Sequence, residues 1–207
     1  MLLPATSPHA PPARRLPWPR ELQGRHVNSR VAGTVREARP EDLDAVATLF
    51  LACWRTSYAG FLPAQVIGMY DDDSARALWR PTLNDPPADP VVFVVERAAG
   101  DVLGVVRIGT DPEEPASGHV YSLYVHPEMQ GHGLGARLLA AADNRFRRDG
   151  RDVATLWVFA ANDGAQRFYA RLGWQPDGGQ RVEPQYGEPE LRLRRTYRDG
   201  VANGGPA

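Results

Sequence analysis

The stretch Leu123-Tyr124-Val125-His126-Pro127-Glu128-Met129-Gln130-Gly131-His132-Gly133-Leu134-Gly135, running directly into Ala136-Arg137-Leu138-Leu139, decides how this chain is read. A β-branched and aromatic run ends at Val125, a glycine-rich turn follows, and an apolar pattern at helical spacing begins after Gly133. Glycines let the backbone come close to a ligand. The unpaired amides of a helix start, reinforced by the helix dipole, attract phosphate. This order of strand, turn and helix predicts a site for a phosphate or pyrophosphate group.

Two formal matches to nucleotide sites fail on context. Gly131-His132-Gly133-Leu134-Gly135-Ala136 meets the loose glycine spacing of dinucleotide folds. However, residues 126–129 separate it from the strand, and the next strand-like run, Leu156-Trp157-Val158-Phe159-Ala160-Ala161, has no acid to hold a ribose. A Walker loop needs a lysine, and all 24 basic residues of the chain are arginine.

A second block breaks the tie. Gln130-x-x-Gly133-x-Gly135 after Tyr124-Val125-x-Pro127 resembles the acetyl-CoA pyrophosphate loop of the GCN5-related N-acetyltransferase (GNAT) superfamily. Asn162-Asp163-Gly164-Ala165-Gln166-Arg167-Phe168-Tyr169-Ala170-Arg171-Leu172-Gly173-Trp174 is similar to that superfamily's Asn-x-x-Ala-x-x-Phe-Tyr-x-x-Leu-Gly-Phe segment, with tryptophan as the last aromatic. The resemblance runs from about residue 34 to residue 197, mainly by order of elements before Ser117. Trp54-Arg55-x-x-Tyr58-x-Gly60-Phe61-Leu62-Pro63 looks like the helix-pair loop of a bacterial subgroup.

The resemblance implies an α/β (α+β) fold with a mixed, mostly antiparallel central sheet flanked by helices on both faces. It implies acetyl-CoA as acyl-donor co-substrate and no metal. By position, Leu123, Tyr124 and Val125 would line the pantetheine arm, and Gln130, Gly131, His132, Gly133, Leu134 and Gly135 would hold the pyrophosphate. Asn162 would bond the pantetheine beside Phe168, although a residue there equally caps the next helix. Tyr169 matches the family's proton donor to the leaving thiolate; its other reading is a packed core aromatic.

An amine is mostly protonated at neutral pH, so the reaction also needs a base. Many relatives carry a glutamate where this chain has His119. His119, Glu96 or a water would serve, and a surface histidine without a role is the alternative. The substrate pocket is expected among Trp54, Tyr58 and Phe61, with Tyr70 and Trp79 nearby, since aromatics suit a cation or an apolar body. Cys53 sits on an apolar helical stripe and reads as core.

Composition bounds the rest. Of 207 residues, 24 are basic and 25 acidic, so neither a nucleic-acid partner nor a membrane surface is expected. One cysteine and no apolar run of membrane length suit a cytoplasmic enzyme. Residues 1–30, rich in proline, read as a disordered leader or as sequence upstream of a true start near Val27 or Val31. The domain then covers residues 31–197 and a flexible tail residues 198–207. Strands are expected at residues 34–38, 91–96, 102–108, 118–125, 155–160 and 190–195, with helices from Pro40 and over 75–83, 133–148 and 164–171.

The functional expectation is an acetyl-CoA-dependent N-acetyltransferase acting on a primary amine of a small molecule, by direct attack in a ternary complex. Two alternatives stay open: a non-catalytic acyl-CoA sensor and a protein or peptide N-acetyltransferase. Monomer or homodimer is not decided by the sequence.

Overall fold

The structure, a computed structural model, describes residues 33–84, 89–98 and 100–197. The expected leader and tail lie outside them. The described chain forms seven strands: β1 (Thr34–Glu37), β2 (Val91–Glu96), β3 (Val102–Thr110), β4 (Gly118–Val125), β5 (Val153–Phe159), β6 (Gln175–Val182) and β7 (Pro189–Thr196). Its helices are α1 (Leu43–Ser57), α2 (Ala64–Ile67), α3 (Asp72–Leu83), α4 (Leu134–Arg148) and α5 (Asp163–Arg171).

The strands form one sheet in the order β1-β2-β3-β4-β5-β7-β6. Every neighbouring pair is antiparallel except β4 and β5. Both faces are covered, which is why the central strands read as unbroken apolar runs. Phe93, Val95, Val106, Ile108 and Leu156 pack on one face against Leu134, Leu138, Leu139 and Phe146 of α4 and Tyr169 of α5. Val92, Val94 and Val105 pack on the other against Val46, Leu49, Phe50 and Trp54 of α1 and Trp79 and Leu83 of α3. Each such large apolar side chain contributes about 1.5–3 kcal/mol by leaving water.

Local chemistry sets the helix starts. Asp71 Oδ1 accepts from the Ser74 amide at 2.8 Å while Ser74 Oγ accepts from the Asp71 amide at 2.8 Å, closing a reciprocal cap on α3. At α1 the chain enters through a 3-10 turn, Pro40–Asp42.

Two elements escape the periodicity. α2 is a single turn after Pro63, too short to show a period. β6 contains Pro176, Gly178 and Gly179, residues that weaken a strand. It survives as an edge strand whose pairing to β7 is bulged between Pro176 and Gln180, with Gly178 at φ +90°.

Candidate active site

The sheet opens where β4 and β5 part. Their parallel pairing covers only Gly118 with Ala154, His119 with Thr155 and Val120 with Leu156, yet β4 continues to Val125 and β5 to Phe159. On the other side of β4, the His126 amide donates to Leu103 O at 2.9 Å, flanking the Gly104–Val125 pair. That pair is therefore of the non-hydrogen-bonded kind, so the amide and carbonyl of Val125 point away from β3. Alternation turns those of Leu123 the same way, toward the gap. Part of this rim is already used: Val125 O accepts from Cys53 Sγ at 3.2 Å and Gln130 Nε2 at 3.3 Å.

The gap leads into the glycine turn. Gly131 and Gly133 have φ of +80° and +81°, the left-handed region that glycine enters without strain. Gly133 is the N-cap of α4 and has no side chain to satisfy the first amides, unlike the capped α3 and α5. Those amides lie at the positive end of a 15-residue helix, a setting that suits an anion. Gln130 Nε2 also bonds Ser57 Oγ at 3.3 Å, and His132 Nδ1 lies 3.0 Å from Gln130 O, so both side chains brace the turn.

Gly135 joins the two sequence blocks. A Cβ there would come within 3.0 Å of Phe168 Cζ and 3.6 Å of Val125 Cγ2. Only glycine lets α4, α5 and the end of β4 meet this closely. Asn162 Oδ1 accepts from the Ala165 amide at 3.0 Å, so Asn162 is the cap of α5. Tyr169 is almost fully buried, with its ring 6.1 Å from Trp174 and 5.2 Å from Phe168. Burial raises its hydroxyl above the ordinary tyrosine range, which keeps it protonated. Tyr58 is raised by burial first, and then by the neighbouring Tyr169, Cys53 and Tyr186.

The two base candidates part company. Glu96 accepts from Arg36 Nε at 2.8 Å and Nη2 at 2.7 Å, and the same guanidinium holds Asp42 at 2.7 Å. This ion cluster lies two strands from β4 and keeps Glu96 ionised, so Glu96 is corrected to a structural residue. His119 is not a surface histidine but only 6% exposed. Its Nδ1 lies 2.7 Å from Thr155 Oγ1, which itself bonds Asp111 Oδ2. The Thr155 hydroxyl has one proton and gives it to the carboxylate, so toward His119 it accepts; Nδ1 then carries the hydrogen and Nε2 a free lone pair. Burial lowers the His119 pKa, against the pull of Asp111, and favours this neutral form.

The aromatic residues named from the sequence for the substrate pocket differ in their surroundings. Trp54 is 3% exposed with its indole donating to Val66 O at 3.3 Å, and is fixed in the core. Tyr58 and Phe61 are half-buried and their rings pack edge-on, 5.6 Å apart, with Phe159 at 5.6 Å from each. Burial pushes the Cys53 thiol up to about 12, which leaves it inert. Sequence reasoning misses Tyr186, whose ring is 5.5 Å from Trp54 and 5.7 Å from Phe159, because it sits in the turn between β6 and β7 without any periodic signal. It also misses Asp111 and Thr155, which take their meaning from His119.

The sequence and the fold are similar to those of known proteins. Residues 43–174 match the model of the acetyltransferase (GNAT) family. An uncharacterised N-acetyltransferase of Bacillus subtilis is 28% identical over 131 residues, 62% of this chain and 73% of that protein. An L-methionine sulfoximine/L-methionine sulfone acetyltransferase of Pseudomonas paraeruginosa is 34% identical over 99 residues, 47% of this chain and 56% of that protein. The PaiA N-acetyltransferase of Thermoplasma acidophilum, solved with coenzyme A, superposes with a TM-score of 0.64 at 17% identity over 80% of this chain and 99% of that one, a likeness of fold. By its matched segment and its sheet, the chain belongs to the acetyltransferase (GNAT) family.

Proposed function

We propose that this chain moves an acetyl group from acetyl-CoA to a primary amine of a small molecule, by direct attack within a ternary complex. The observation that carries the reading is the open segment of β4 ending at the uncapped start of α4. Acetyl-CoA supplies an activated thioester. The outward amide and carbonyl of Leu123 and the amide of Val125 suit an extended amide-bearing arm, while the first amides of α4 suit a pyrophosphate. An amide on this strand that meets the thioester oxygen would steady its developing charge, an effect worth about 3–4 kcal/mol per donor in comparable sites.

Tyr169, held protonated by burial, donates to the departing sulfur, and Nε2 of neutral His119 takes the amine proton directly or through water. The amine enters from the α1 face, where Tyr58, Phe61, Phe159 and Tyr186 form an aromatic wall. Such a wall favours a small acceptor over a peptide chain, and the relative named for methionine sulfoximine is in keeping with this. The Tyr169 and His119 pair weighs against a sensor without chemistry.

Calorimetric titration with acetyl-CoA tests the reading. Micromolar binding to the wild type that Gly133→Glu abolishes supports it; equal binding by both proteins, or by neither, removes the glycine turn from the site.

A further inference from the structure

On the α1 and α3 face of the sheet, one strand step from the site, three hydrogen-bond donors are buried without an acceptor. They are Arg107 Nε, Ser122 Oγ and Trp79 Nε1. They belong together: Arg107 and Ser122 are direct partners across the β3–β4 pair, and the Arg107 guanidinium lies 5.6 Å from the centre of the Trp79 ring. The guanidinium also lies 5.3 Å from the centre of the Tyr121 ring. Among the described residues no carboxylate or carbonyl bonds Arg107, although the chain pairs many of its other arginines with acids.

Arg107 is half-buried, and sealing its Nε from water without an acceptor is costly, because that donor gives up water and receives nothing in return. Burial disfavours its charge, yet an arginine remains protonated throughout the accessible pH range. A cation lying over two rings beside two further free donors is the complement of an oxyanion with a planar fork, such as a carboxylate. The location matters too. Tyr121 is shared, its ring 5.3 Å from the Arg107 guanidinium and 4.8 Å from the His119 imidazole, so the anion receptor and the candidate base flank a single side chain.

We propose that Arg107, with Ser122 and Trp79, binds a carboxylate of the acceptor, making the substrate class an amino acid or another amine that bears a carboxylate. This rests on the acetyltransferase reading above and narrows it. The feature is legible only in three dimensions, since in sequence Arg107 is one charge in a β-branched run.

The test is discrimination by the wild-type enzyme. The proteinogenic amino acids are each compared with their carboxamides and their decarboxylated amines, at saturating acetyl-CoA, by release of the free thiol. At least one carboxylate-bearing amine is expected to be acetylated, with kcat/KM about 10- to 100-fold above its carboxamide, the range for one charge-assisted hydrogen bond. Arg107→Gln should erase that ratio by raising KM, and Ser122→Ala should lower it in part, with acetyl-CoA affinity unchanged in both. Equal turnover of carboxamide and acid, a ratio untouched in Arg107→Gln, or no turnover of any carboxylate-bearing amine by enzyme that binds acetyl-CoA overturns this inference alone. Failure to bind acetyl-CoA overturns it together with the reading beneath it.

Discussion

His119 and Thr155 face each other across the short parallel ladder of β4 and β5, and their side chains meet at 2.7 Å. With Asp111 behind it, Thr155 fixes which imidazole nitrogen is free. Burial, with Arg181 and Arg107, lowers the His119 pKa, while Asp111 opposes the shift. The rate should therefore rise with pH through a titration below the ordinary histidine value of about 6.5 and be flat by neutrality. His119→Ala should lose this limb and about 10²-fold in rate. Thr155→Val should slow the reaction without weakening acetyl-CoA binding. A pH profile that His119→Ala leaves unchanged would assign the base to water.

Tyr169→Phe removes one hydroxyl from a packed ring and leaves the ring contacts with Phe168 and Trp174 in place. Turnover should fall about 10²-fold or more, the scale of general-acid catalysis, with acetyl-CoA affinity and melting temperature near wild type. Unchanged turnover would mark Tyr169 as a core aromatic.

Gly118→Ala should be a stability mutant. A Cβ at Gly118 would overlap the ring of Phe146, which is 2% exposed and anchors α4 to the sheet. Overpacking of this kind costs about 1–3 kcal/mol, readable as a lower urea midpoint at unchanged slope. The double variant Gly118→Ala, Phe146→Leu should recover part of the loss.

The Arg36 cluster predicts a pH dependence of stability. Hydrogen bonding to Arg36 lowers the pKa of both Asp42 and Glu96 below the ordinary carboxylate values. Their contribution to stability is then complete above those ordinary values, about 4, and is lost as pH falls through the lowered ones. Arg36→Met should flatten that acid limb of the unfolding curve, measured by urea denaturation between neutral pH and about pH 3.

Most of the fold was readable because its elements announce themselves locally. α4 has an apolar stripe and a glycine start, β2 and β3 are β-branched runs, and both agree with the structure to within a residue or two. β6 was not, because Pro176 and the Gly178-Gly179 pair argue against a strand that only its edge position permits. For the candidate site, the glycine turn was visible as spacing along the chain. The Thr155–Asp111 support of His119 and the Arg107–Ser122–Trp79 group were not, since each arises from side chains at separate places in the sequence, with Thr155 36 residues from His119 and 44 from Asp111, that meet through pairing across the sheet or packing upon it.

The parting of β4 and β5 has a further consequence, for self-association. Unpaired strand edges recruit other chains when they lie at the rim of a sheet. Here the rim is guarded, by a four-residue β1 at one described edge and by the bulged, proline- and glycine-bearing β6 at the other. The unpaired polar groups of β4 lie instead in an interior slot, walled by β5 of the same molecule. A lone extended chain can enter such a slot, whereas the exposed edge of another protein's sheet cannot. The fold thereby keeps adhesive backbone available to a thin ligand while withholding it from neighbouring copies of itself.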